Sequence, residues 1–273
     1  MEKDLPEYAM GPLRRFVAFW EECHQLLHLS MKGISMIQAV PKSIEALEMA
    51  YAAGYGDSSE KERLSLSDAK KMAELAKKEC DSGFPLLHAQ LLVALWGAVE
   101  AAIEDMLVGI LLNEPEVLKN DAFAKIKIPL AEFELLDKDE RMRVLVEDIG
   151  RGRGAHGVDA FETLLARFDL TGNVEEGDKK TIWEMHHLRN VIVHRSSLAD
   201  RRLIQSCPWL NLKIGDKITV THEALFRYGN KLVEYVLAVA YRFGTRYSVD
   251  LDAKIKRVHE DRLKTPEDQY YEK

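Results

Sequence analysis

Three cysteines in 273 residues, Cys23, Cys80 and Cys207, stand far apart and are odd in number. That scarcity argues against a disulfide framework and a cysteine-rich zinc site, and it suits a reducing compartment. No secretory leader is expected either. Met1-Glu2-Lys3-Asp4 carries neither the basic stretch nor the apolar run of one, so a cytoplasmic location is expected. No long apolar run is free of charge: the most apolar stretch, Leu91 to Leu112, is broken by Glu100, Glu104 and Asp105. Each such charge costs ~2.5–3.5 kcal/mol at the centre of a bilayer-spanning helix. A buried helix is the better reading, and no membrane partner is expected. An excess of positive charge is also absent. A formal net charge of −7 excludes a protein that coats nucleic acid non-specifically, because such affinity comes from neutralising phosphates. Any RNA has to meet a local basic site in an acidic surface. No internal repeat and no strand–helix alternation is visible, which argues against a doubly wound α/β fold.

What is present is ordinary globular material, 47% hydrophobic and 30% charged, enough for a sizeable core. Helical signals run almost throughout. Pro12 fits a first-turn position, and Leu13, Phe16, Val17, Trp20 and Leu27 follow helical spacing to about Leu29. A second helix is expected from Lys42 to Ala53, stopped at Gly54, before an exposed polar loop at Gly56 to Lys61. Ser65 or Ser67 can cap a third to about Cys80, with Gly83 after its end. Pro85 opens the longest, to about Leu112, apolar on most sides. Further helices are expected at Lys138 to Ile149, Val158 to Phe168 and Asp178 to Ser196. Alternation around Gly215-Asp216, between Leu212 and Val220, predicts one small β-hairpin. Thr221 then caps a last long helix to about Phe243, ended by Gly244, before a charged tail. The expected organisation is all-α: an N-terminal helical extension (1–83), a main helical domain (84–245) and the tail (246–273).

The chemistry concentrates between Asp178 and Arg202. On an ideal helix each residue advances ~100° and ~1.5 Å. Ile182, Met185, Leu188, Ile192 and Val193 then share an apolar face, while His187, Asn190 and His194 share a polar one near Trp183. Arg189 falls inside the apolar arc, where something has to pair with it or bring it to a buried boundary. Arg189 and His194 are five residues apart, hence ~140° apart around the helix with a rise of ~7.5 Å. Packed against its own copy across a two-fold axis, such a helix brings an Arg and a His from each chain to one cleft. Imidazole suits proton transfer near neutral pH, and the guanidinium fork matches phosphate oxygens.

The run Leu188-Arg-Asn-Val-Ile-Val-His-Arg195 resembles the R-N-x-x-x-H signature of the HEPN superfamily. The apolar helix with a mid-helix Glu before it (LLVALWGAVEAAIEDML) and the long helix after it match the setting, over roughly Phe84 to Phe243. The resemblance implies an all-α HEPN-like bundle that dimerises and acts as a metal-independent endoribonuclease. It implies that His194 acts as general acid/base around the ribose 2′-OH and that Arg189 stabilises charge on the phosphoryl oxygens. The role it implies is that of a toxin or antiviral-defence effector, with an antitoxin or sensor as a further partner. Supporting or RNA-contacting roles fall to Asn190, His187, Arg195 and, more weakly, Glu184. No cofactor is expected, and no metal: His187 and His194, spaced i, i+7 without an acidic ligand between them, make a poor metal pair.

Plainer alternatives stay open. A cation near a helix C-terminus is favourable by ~0.3–1 kcal/mol without any catalytic role, and Arg189 can be paired structurally. A HEPN-like dimer that binds RNA, nucleotide or a protein without cutting is the first competitor, and a helical scaffold held by Arg189 the second. The basic glycine run Gly150-Arg-Gly-Arg-Gly-Ala-His-Gly157 lacks the Gly-Lys-Ser/Thr ending of a phosphate loop. It reads as a flexible loop, or as a basic flap over RNA. Arg195, Arg201 and Arg202 are solvated charge or a track for an RNA backbone.

Overall fold

Ten α-helices account for most of the chain in the computed structural model, which describes residues 5–54, 65–121, 123, 124, 126–150 and 157–251. The class is all-α. The polar loop at 56–61, the run from Arg151 to His156 and the tail beyond 251 lie outside the described residues. Helix α1 spans Glu7–Ile37, α2 Val40–Ala52, α3 Leu66–Ser82, α4 Pro85–Asn113 and α5 Leu130–Leu135. Helix α6 spans Lys138–Gly150, α7 Val158–Leu165, α8 Glu176–His194, α9 Arg201–Ser206 and α10 His222–Arg246. Among the described residues no helix is long and apolar enough to cross a membrane.

Local chemistry explains most of the boundaries. Gly83 ends α3 at φ +74°, where its N–H bonds Cys80 O and the Phe84 N–H bonds Glu79 O, a Schellman-type closure that satisfies two orphan carbonyls. Thr221 caps α10 by accepting from the Ala224 N–H at 3.2 Å. The helix does not stop at Gly244, as the glycine suggested, but runs on to Arg246. There Val249 N–H bonds back to Gly244 O at 2.9 Å, and Leu251 packs where a Gly244 side chain would stand. Nor does α1 begin at Pro12; it starts more than a turn earlier, at Glu7. A proline inside a helix deprives the carbonyl four residues back of its donor, here that of Tyr8. The backbone of Gly109 lies against that carbonyl so closely that a Cβ would sit 2.4 Å from its oxygen.

The described residues form two compact units. One draws on Met1–Val17, Gly97–His186 and Asn230–Lys273, the other on Ala18–Trp96 and His187–Gly229. These are not the consecutive segments 1–83, 84–245 and 246–273: α1, α4, α8 and α10 each contribute to both units. A long helix that buries side chains in both units has no reason to respect a boundary drawn in sequence. In the first unit α6 packs on α7. Glu162, on α7, accepts from both Arg242 and Tyr235 at 2.8 Å, so the later half of α10 is tied down by a half-buried ion pair. Glu114 similarly gathers Tyr8, Arg246 and Tyr247. In the second unit α2 packs on α3, and Lys70 pairs with Glu45 at 3.0 Å.

The β-hairpin expected between Leu212 and Val220 does not form. Its turn is there, with Gly215 at φ +89° and Lys213 N–H bonding the Asp216 carboxylate at 2.7 Å. The two arms do not pair with each other. Instead Ala199 N–H bonds Asp216 O at 2.8 Å, Gly215 N–H bonds Ala199 O at 2.8 Å and Ile218 N–H bonds Ser197 O at 2.7 Å. One antiparallel bridge, Leu198 to Lys217, is the result. The segment leaving α8 outcompetes the local partner because Ala199, Ile218 and Val220 bury their side chains in this arrangement.

Candidate functional site

Helix α8 carries every residue singled out by the motif except Arg195, which follows its last residue. Its buried edge is Ile182, Met185, Leu188 and Val191, a stripe of three-residue steps that locks the helix against its surroundings. The expected apolar face ended instead on Ile192 and Val193, but Ile192 is half-buried and Val193 is 47% exposed. The last turn has left the core by then. His187, assigned to the same polar face as His194, is only 2% exposed, whereas His194 is open to solvent. A polar face in helical projection is therefore not one solvent-facing surface. His187 is in no position to touch RNA unless the helix moves. Glu184, five residues before Arg189, is buried in the other unit's share of the helix.

Arg189 sits at the half-buried boundary that its place in the apolar arc demanded. Its Nη1 donates to Asn190 Oδ1 at 3.0 Å. Its Nε is shut off from water and finds no hydrogen-bond partner among the described residues. No carboxylate among those residues forms an ion pair with it. A guanidinium that served only to hold the fold would be expected to have one, since an uncompensated half-buried charge is costly. Asn190 is thus positioned to orient the guanidinium rather than the His194 imidazole.

His194 is the last residue of α8. The chain turns sharply after it, with Ser196 at φ +51° and Ser197 at φ +62°, a left-handed pair that serine adopts only under constraint. The constraint is visible in the N–H groups of Arg195 and Ser197, which both bond Val191 O, at 2.9 and 3.3 Å. Beyond the turn, Asp200 caps α9 by accepting from the Leu203 N–H at 2.8 Å, and the same carboxylate lies 3.6 Å from Arg195 Nε. Arg195 is therefore partly neutralised. The capping aspartate was legible in Asp200-Arg-Arg-Leu203 as an N-cap signal; the left-handed serines were not, because serine carries no glycine-like flag.

No family model, curated protein or solved structure matches this chain. What it does must therefore be argued from its own side chains.

The first unit offers a cleft of about 310 Å³ that contains none of the predicted residues; Glu100, Glu104 and Glu147 line it above Ile103, Val146, Phe161 and Leu164. Partial desolvation in the cleft, reinforced by Glu100, Glu147 and Asp105, pushes the carboxyl of the solvent-exposed Glu104 above the usual range, with Arg143 opposing. A cleft of that charge repels phosphate. Among the described residues no group of three or more His, Cys, Asp or Glu side chains is placed to hold a metal ion.

Proposed function

We propose that this protein is a HEPN-type, metal-independent endoribonuclease that works as a homodimer, with Arg189 and His194 as catalytic residues. The observation that carries the proposal is the state of Arg189: a permanent cation, half-buried, steered by Asn190 through Nη1 and without a carboxylate partner among the described residues. Such a group has its fork available for an oxyanion that the protein itself does not supply. An RNA phosphodiester is the oxyanion that a neighbouring imidazole can exploit.

In this mechanism neutral His194 accepts the proton of the ribose 2′-OH as that oxygen bonds to the adjacent phosphorus. Negative charge grows on the non-bridging oxygens, where Arg189 stabilises it. The phosphorus–O5′ bond then breaks, and an imidazolium returns a proton to the leaving O5′. The products are a 2′,3′-cyclic phosphate and a 5′-hydroxyl. DNA, without a 2′-OH, is not cut. Arg189 and His194 diverge by ~140° on one helix, so the complete site draws on a second copy related by a two-fold axis. Exposed apolar side chains on either side of His194, Val193 and Leu198, support a covering partner there. A cytoplasmic toxin or antiviral-defence role, restrained by an antitoxin or sensor, follows from the same reading.

The competing reading, a HEPN-like dimer that binds RNA, nucleotide or protein without cutting, is favoured by one feature: His194 is exposed and receives no orienting hydrogen bond from the described residues. The deciding experiment is cleavage of labelled tRNA and unstructured RNA, with EDTA present, by wild type and His194→Ala. Cutting by wild type alone, leaving cyclic-phosphate ends, is the expected outcome. Equal cutting by both removes His194 from the mechanism, and RNA binding with unaltered product lengths in both establishes the non-cutting reading.

A further inference from the structure

His88 is buried to 1% exposure in the first turn of α4. Its Nδ1 lies 3.1 Å from Val220 O. A carbonyl only accepts, so Nδ1 carries the proton and Nε2 is left as a bare acceptor. That nitrogen is out of contact with water and has no hydrogen-bond partner among the described residues. The His222 ring stands 5.5 Å away and rests in turn on Phe226 at 4.5 Å. From α1, His24 meets the same phenylalanine edge-on at 4.7 Å and Trp20 meets it at 5.3 Å. Burial holds His88 below the ordinary histidine value, and His222 adds to this; Val220 O and the Glu223 carboxylate act the other way. His222 and Glu223 are the titratable groups facing it, both from the start of α10, while His24 reaches the cluster only through Phe226.

The carbonyl that His88 holds belongs to the segment that props the end of α8. Residues 215–218 bond the turn at 197–199 through three backbone hydrogen bonds, and Ser197 N–H in turn bonds Val191 O. His88, the 215–220 segment and the turn after His194 are one connected chain of contacts inside one unit.

We propose that His88 is an acid-sensitive latch. Neutral, it fastens residues 215–220 to α4 and, through them, the turn that follows His194; protonated, it releases them. Protonation puts a hydrogen on Nε2, where no described residue accepts it, and places a charge beside His222 in a site closed to bulk solvent, at the positive end of a helix. Detaching the segment exposes the ring and relieves all three penalties. The direction follows from linkage. The folded value is depressed, so the released state takes the extra proton first. The latch is at full strength above about pH 6.5 and loses strength as pH falls through the folded value. Nothing in this depends on whether the chain cuts RNA.

The test is hydrogen exchange on the full ¹⁵N-labelled chain between about pH 7.5 and about pH 5.5, the range in which histidine changes charge. Protection factors, which remove the intrinsic pH dependence of exchange, are read at the amides of Ala199, Gly215 and Ile218. They should fall by more than about threefold as pH drops, while Val239 in the later half of α10 holds steady. His88→Asn keeps a donor at the Nδ1 position and has no charge to gain, so its protection at the three amides should be flat. A wild-type response absent at these amides, or equal in His88→Asn, overturns the latch. Should the variant not fold, the ring resonances of wild-type His88 decide. Titration at or above the ordinary histidine value overturns the proposal; a value below it, together with the fall in protection, upholds it.

Discussion

Removing Arg189 separates a catalytic arginine from a structural one, because the structure sets the two costs apart. In Arg189→Ala the folded state loses one charge-assisted hydrogen bond, Nη1 to Asn190 at 3.0 Å. Such bonds contribute about 1.5–3 kcal/mol at most, and a half-exposed one falls at the low end. The substitution also removes a buried Nε that has no partner among the described residues, and relieving an unsatisfied donor returns about 1–3 kcal/mol. The two nearly cancel, so the net change in stability should stay within about 1 kcal/mol. For a chain of this size that moves Tm by only ~2–4 °C. If the guanidinium stabilises the phosphoryl oxygens in the transition state, its removal should lower single-turnover RNA cleavage by about 10²–10³-fold, or ~2.7–4 kcal/mol. The assay is cleavage of labelled RNA in EDTA, paired with thermal unfolding of the same preparations. Arg189→Lys should recover only part of the rate, because an ammonium keeps the charge but not the fork. An unchanged rate in Arg189→Ala refutes the catalytic assignment. A Tm loss above ~10 °C refutes the ledger, since it would mean Arg189 holds the fold.

Two further outcomes test the surroundings. Gly109→Ala should destabilise by about 1–3 kcal/mol despite alanine's better helix propensity, because its Cβ would lie 2.4 Å from Tyr8 O, a backbone atom that has little room to give; urea unfolding measures it, and a stabilised variant would show that the contact relaxes freely. Glu104→Gln should raise Tm at pH 7 and change it little at pH 4. The carboxyl is held above its usual value by partial desolvation in the cleft and by Glu100, Glu147 and Asp105, so whatever it contributes at low pH is lost as pH rises through the folded value. The side chain is exposed, which screens the effect and keeps the shift small, and a variant less stable at pH 7 contradicts the assigned cause.

The residues that define the candidate site were legible because they sit in a short pattern with its own chemistry. Arg189 in an apolar arc signalled a cation at a buried boundary, and it is half-buried. His187 was misjudged for the opposite reason. A helical projection shows which residues share a face but not how far neighbouring elements climb around it, and His187 is buried. The hairpin was predicted from a correct turn, Gly215-Asp216, and an incorrect pairing. Turn chemistry is local, but the choice between Leu212 and Leu198 as partner strand rests on burial that only long-range contacts supply.

From sequence alone, the helical class, most helix positions and the Arg189–Asn190–His194 pattern followed, because capping, period and residue chemistry act over a few residues. Only the tertiary structure decided that α1, α4, α8 and α10 contribute to both units, that Arg189 has Asn190 and no carboxylate as its described partner, and that His88 fastens Val220. Those outcomes depend on which buried surfaces meet, and in a chain with so many apolar helices the local pattern is satisfied by many arrangements of which packing selects one.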